Sequence, residues 1–221
     1  MQLNRKFIGQ SIIVLSILLL VVFIFIQPEK TIREDQTTKV DSVLALSLED
    51  HYKWRAGSDI TVISYYSIDC PYCRELYLAE SKYKTLYENT FSLVYRPSPL
   101  PDLQPLSLEK AVIAECVFRQ SGEDEMFLFL NDVFTNYSLT QENNDWVEKI
   151  ANKYIKNQEL FSMCRDGEGL KTVIKQSKQA LADSVFGTPT IIVMKGNETI
   201  IRLEKPTVRT VFNTFNSIRK I

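Results

Sequence analysis

Histidine is nearly missing from this 221-residue chain: His51 stands alone, and only four cysteines accompany it. A structural zinc site takes about four Cys or His ligands, commonly delivered as paired C-x-x-C or H-x-x-x-H units. One C-x-x-C, Cys70 to Cys73, and two isolated cysteines, Cys116 and Cys164, do not make such a set, so no metal is expected. An excess of one charge is lacking as well. The 26 Lys and Arg nearly offset 27 Asp and Glu, for a net charge of −1, and no basic patch or charged tail stands out. Nucleic acid therefore has no electrostatic footprint here. Internal repeats and low-complexity tracts are absent too.

What the chain does contain begins with one long apolar run. Arg5 and Lys6 precede Phe7 to Ile26, a stretch without a charge and long enough to span a bilayer. A cleaved leader has a shorter apolar core and a small-x-small site, whereas this run ends Phe23-Ile24-Phe25-Ile26-Gln27-Pro28. With the first cysteine at Cys70, a lipoprotein is not expected either. The positive flank predicts a cytoplasmic N-terminus and export of the rest. We therefore expect a cytoplasmic end and transmembrane signal anchor over 1–27, a polar tether over 28–40 and one extracytoplasmic domain over 41–221. About 180 residues suffice for one core and do not demand two.

Within that domain, Val43, Leu44, Leu46 and Leu48 suit either an edge strand or a short helix. Ile60 to Tyr66 is apolar on both parities and rich in β-branched and aromatic residues, as a central strand buried on both faces requires. Leu76, Ala79, Tyr83 and Leu86 recur at helical steps after Pro71, and Phe91 to Tyr95 returns as a strand. From 105 to about 183 the pattern is helical throughout, with Ser121 and Thr140 placed as N-caps. Thr190 to Lys195 and Thr199 to Glu204 flank Gly196-Asn197, a hairpin signal, before a closing helix carrying Val208, Val211, Phe212, Phe215 and Ile218.

Two short motifs carry the chemistry. Cys70-Pro71-Tyr72-Cys73 follows the central strand and opens a helix, where unpaired amide N–H groups and the positive end of the dipole favour a thiolate. Cys70 is thus the expected nucleophile and Cys73, one turn in, the resolving thiol. Pro71 suits the first helical position, which needs no N–H. Far downstream, Gly187-Thr188-Pro189-Thr190 leads directly into Ile191-Ile192-Val193. A cis Thr188–Pro189 bond is expected there; it would turn the Thr188 backbone outward to pair with an extended substrate.

The segments Glu49 to Cys73 and Phe186 to Pro189 resemble the DsbA-like branch of the thioredoxin superfamily, the membrane-tethered or secreted thiol oxidoreductases of bacteria. The resemblance spans roughly 41–221. Tyr95-Arg96-Pro97-Ser98-Pro99-Leu100 is similar to the family's segment before its helical insertion, and Ala111 to Cys116 to its first inserted helix. Glutaredoxins share C-P-Y-C but are far shorter and lack the insertion. The resemblance implies an α/β thioredoxin-like fold with an inserted all-helical subdomain, preceded here by the transmembrane helix. It also implies no cofactor beyond the Cys70–Cys73 disulfide, exported protein or peptide thiols as substrates, and a quinone-linked membrane partner as reoxidant. Thr188, Pro189 and Tyr72 are the expected substrate-binding residues.

Two positions depart from the family pattern. DsbA carries histidine where this chain has Tyr72, and a phenol lacks the imidazolium charge. Family members commonly carry an acid on the central strand where this chain has Ser64, which cannot act as a base near neutral pH. Cys116 and Cys164 read either as two buried inert thiols or, in an oxidising compartment, as a structural disulfide worth roughly 3–4 kcal/mol in the chain-entropy model. His51 is expected on the surface, Asp69 as a helix cap or a solvated charge, and Trp54 and Trp146 as packing residues. Three functions stand: a thiol:disulfide oxidase, a reductase or isomerase of the same fold, or a tethered binding or chaperone module whose C-x-x-C is only structural.

Overall fold

The computed structural model describes residues 46–99, 105–142 and 144–220, with the side chains of 140–142 left aside. The expected anchor and tether lie outside the described residues. Among those described, no helix is long and apolar enough to cross a membrane.

The chain builds β1 (His51–Trp54), β2 (Ile60–Tyr66), α1 (Pro71–Lys82), α2 (Lys84–Tyr87) and β3 (Ser92–Pro97). Six helices follow: α3 (Leu106–Ser121), α4 (Glu123–Thr135), α5 (Tyr137–Glu142), α6 (Asp145–Ala151), α7 (Gln158–Asp166) and α8 (Glu168–Ala182). The hairpin β4 (Thr190–Lys195) and β5 (Glu198–Glu204) and the helix α9 (Val208–Ile218) close the domain. The five strands lie in the order β1-β3-β2-β4-β5, with β2 and β3 parallel and the other pairs antiparallel. A parallel pair needs a crossover, and α1 and α2 supply it.

Every residue of β2 is buried, because the central strand is covered on both faces. Val62 and Tyr66 face the larger core with Leu93, Tyr95, Ile191 and Val193, under α1 and the inserted helices. Ile63 and Tyr65 face the other way, with Val94, Ile192, Met194 and Ala180 of α8. The alternation of strand side chains thus divides one apolar run between two cores. α9 adds Val211, Phe215 and Ile218 to the larger core, with Phe215 against Tyr87 and Phe91.

Several expectations need correction. The edge strand starts at His51; Leu46 and Leu48 are exposed and belong to no strand or helix, while Val43 and Leu44 lie outside the described residues. The buried face of α1 is Cys73, Leu76, Tyr77 and Glu80, and the helix breaks at Tyr83, leaving Tyr83 and Leu86 exposed. A glutamate on the core side hid that face from an apolar pattern. Ser121 ends α3 and donates to the Tyr154 carbonyl instead of capping α4, while Thr140 lies within α5. His51 is 2% exposed. Its Nε2 lies 2.8 Å from Glu115 of α3, whose other oxygen accepts from Arg119 at 2.7 Å, and its ring packs on Phe118. A polar ring is buried only with a partner, and this partner stands 64 positions away.

Candidate active site

Cys70 is the N-cap of α1, with extended backbone (φ −87°, ψ 116°), and Pro71 occupies the first turn. Its sulfur accepts from the Cys73 N–H at 3.4 Å, so the first thiol meets amides that the helix leaves unpaired. The Ser67 carbonyl accepts from the Cys70 N–H at 3.2 Å and shapes the turn from β2 into the helix. Both thiols are buried and free.

The chain brings the second motif to the same place. The Thr188–Pro189 bond is cis, and the Thr188 carbonyl accepts from the Cys70 thiol at 3.3 Å. This loop enters β4, which pairs antiparallel with β2, so one sheet carries both motifs to the same end of its central strands. Tyr72 of α1 and Phe186, two residues before Thr188, are 64% and 80% exposed. Thr188 is covered, whereas the two aromatic rings face solvent.

The two thiols are electrostatically unlike. Hydrogen bonding from Cys73 is the main force on Cys70; it outweighs the desolvation that opposes it and, with help from Thr188 and the Cys73 and Tyr72 backbone, brings the Cys70 thiol down to about 6. Burial pushes the Cys73 thiol well up, and its hydrogen bond to Cys70 and the neighbouring charge add to this. One sulfur is built to carry charge and the other to stay protonated.

A family model described as Thioredoxin matches residues 55–206. The chain belongs to the thioredoxin family. Its fold is similar to that of Wolbachia pipientis alpha-DsbA1, at TM-score 0.66 and 18% identity over 80% of this chain and 94% of that one. BdbD from Bacillus subtilis in its oxidised form gives TM-score 0.61 at 15% identity, covering 78% of this chain and 94% of that one. Pseudomonas aeruginosa DsbA2 gives 0.60 at 17% identity, covering 80% and 97%. At such identities the likeness is one of fold. No curated protein sequence matches.

Within this thioredoxin-family fold, Cys116 and Cys164 form a disulfide between α3 and α7, remote in sequence from the Cys70 motif. Ser64 is buried on β2, level with Tyr95 and Ile191. A buried acid stands instead at Glu80, on the face of α1 that carries Cys73, held by Lys53 at 3.2 Å and by the Tyr95 hydroxyl. Burial pushes the Glu80 carboxyl up and the Lys53 ammonium down. Trp54 packs near Phe91, as a core residue does.

Sequence reasoning missed the residues that hold the turn before the nucleophile. Asp69 is neither a cap nor solvated: it is buried and paired with Lys110 of α3. Tyr137 of α5 donates to the Asp69 carbonyl, Ser107 meets Ser67 at 3.2 Å, and Arg74 donates to the Phe134 carbonyl at 2.8 Å. The signal was present in α3, where Ser107, Lys110, Ala111 and Ala114 follow the helical repeat of its buried face. A lysine on such a face requires an anion. Among the described residues, no three His, Cys, Asp or Glu side chains gather as a metal ion would need.

Proposed function

We propose that this chain is a membrane-anchored, extracytoplasmic thiol:disulfide oxidoreductase that forms disulfides in exported proteins. The observation that carries the proposal is the placement of a thiolate-favouring Cys70 against the Thr188 carbonyl. A catalytic thiol needs both nucleophilic character and a surface that presents its substrate. A merely structural C-x-x-C needs neither.

In the oxidised enzyme, a substrate thiolate attacks the Cys70 sulfur. The Cys70–Cys73 bond breaks, a mixed disulfide forms and Cys73 leaves with the electron pair. Burial that disfavours charge on Cys73 draws a proton to it. A second substrate thiolate then attacks the substrate sulfur of the mixed disulfide and releases Cys70 as the better leaving thiolate. Two electrons pass from two substrate thiols to the enzyme pair, and the product holds the new disulfide. The substrate segment lies extended along Thr188 and Pro189, with Tyr72 and Phe186 as apolar flanks. A quinone-linked membrane partner takes the electrons onward. The apolar run Phe7 to Ile26 anchors the enzyme and the polar segment after it sets its reach.

The test is a pair of assays on the full chain, oxidation of a dithiol peptide and reduction of insulin, each against Cys70→Ser. An oxidase turns over the peptide and barely reduces insulin. Insulin reduction as the dominant activity assigns a reductase instead, and no turnover in either assay overturns the redox reading.

A further inference from the structure

The turn that delivers Cys70 is gripped from the inserted helices, and at its centre lies a charge pair that packing alone does not require. Lys110 Nζ bonds Asp69 Oδ1 with side chains only 2% and 3% exposed. Apolar side chains of similar volume fill such a place at least as well, because two buried ions forfeit their hydration. We propose that Lys110 and Asp69 are positioning residues for Cys70, holding the residue before the nucleophile in place and setting, by the balance of their charges, the local field in which its thiolate forms. The inference rests on the thiol-exchange reading above and adds residues to it.

Three observations point this way. Asp69 immediately precedes Cys70, so its backbone is about 3.8 Å from that of the nucleophile. Its second carboxylate oxygen, Oδ2, is buried without a hydrogen-bond partner among the described residues, so the ammonium holds only one side of the carboxylate. Charges act strongly in such a desolvated place. The backbone there is held at two points. Tyr137 holds the Asp69 carbonyl, and Ser67 meets Ser107 one turn before Lys110 on α3.

The other groups that act on Cys70 are Cys73 of α1, Tyr137 of α5 and Thr188 before β4, while Tyr66 at the end of β2 acts on Cys73 and Arg74 of α1 lies over Tyr137. Arg74 is engaged elsewhere, with the Phe134 carbonyl and above the Tyr137 ring at 5.8 Å. Tyr137 is pushed up to about 12 by burial first and then by Cys70, Asp69 and Cys73, so it is a neutral donor at working pH. The Lys110–Asp69 pair is therefore the charge that substitution can rebalance without touching substrate.

The experiment follows Cys70 alkylation rate against pH in the reduced full-length chain, with Asp69→Asn, Lys110→Met, the double variant and Lys110→Arg. Removing the carboxylate leaves an uncompensated cation, and the midpoint falls by about one pH unit, a tenfold gain in thiolate below it. Lys110→Met leaves the anion, and the midpoint rises by about as much. The double variant returns toward the parent, and Lys110→Arg tracks it. Shifts of one sign in both single variants, or none, overturn the proposal, since simple loosening of the turn moves both the same way. For variants too unstable to assay, the Asp69 carboxyl resonance of the unaltered chain is followed by NMR. It must respond at the Cys70 midpoint, and a flat response there is equally fatal. Failure of the redox reading looks different: the parent midpoint itself sits at the ordinary thiol value, whatever residues 69 and 110 are.

Discussion

The two cysteine pairs of this domain are built from the same atoms and put to opposite uses. Cys70 and Cys73 are three positions apart at a helix start, free, and held so that one sulfur favours charge. Cys116 and Cys164, 48 positions apart, are joined, with Cys116 fully buried in the larger core and Gly169 pressed against both sulfurs. The contrast lies in the neighbours. The first pair meets a helix amide that favours a thiolate and a loop carbonyl that accepts from the thiol when it is protonated. The second pair sits on apolar helix faces that offer nothing to a thiolate. A cysteine is reactive or structural according to what stands within a few ångströms of its sulfur.

The comparison is broken most severely by exchanging the roles. Cys70→Ala takes peptide oxidation to background, whereas Cys116→Ala with Cys164→Ala leaves turnover per folded molecule within about twofold; a large loss in the second variant means that the pairs are not independent. The next effect is on stability. The Cys116→Ala/Cys164→Ala variant loses roughly 3–4 kcal/mol in the chain-entropy model, read from urea unfolding of the oxidised proteins, while its Cys70 alkylation midpoint stays where it was.

The last effect is on pH dependence. Cys70 is lowered in the folded reduced chain, from an ordinary 9.0 to about 6, so its contribution to stability is complete above pH 9 and is lost as pH falls through about 6. Cys73 is raised, so its contribution is complete below pH 9 and declines above it. The reduced form gains stability over the Cys70→Ala chain between pH 6 and 9, and that gain is read by urea titration at each pH. A flat difference across this window removes the electrostatic distinction between the pairs.

Much of this was legible beforehand. Ile60 to Tyr66 showed its double burial in composition, the hairpin showed its turn at Gly196-Asn197, and both halves of the site stood out as short motifs. Where legibility failed, the residues were polar and their partners far away. His51, read as exposed, is buried because Glu115 is there to receive it. Asp69, read as a cap or solvated, is buried on Lys110, 41 positions along. Glu80 disguised the core face of α1, because a carboxylate counts as surface until Lys53 and Tyr95 are seen around it. Apolar residues declare their burial by period alone, since any apolar neighbour serves them. A buried charge depends on one particular partner.

By itself, the sequence determined the alternation of strands and helices, the inserted helical run, and the two motifs whose residue types suit thiol exchange. These follow from local spacing, in which a side chain's direction is set by its own backbone. Only the tertiary structure decided that Thr188 stands against Cys70, that Cys116 joins Cys164, and that Lys110 reaches beneath the nucleophile to Asp69. Those are contacts between distant segments, and which charges and thiols meet depends on how the sheet and the inserted helices pack together.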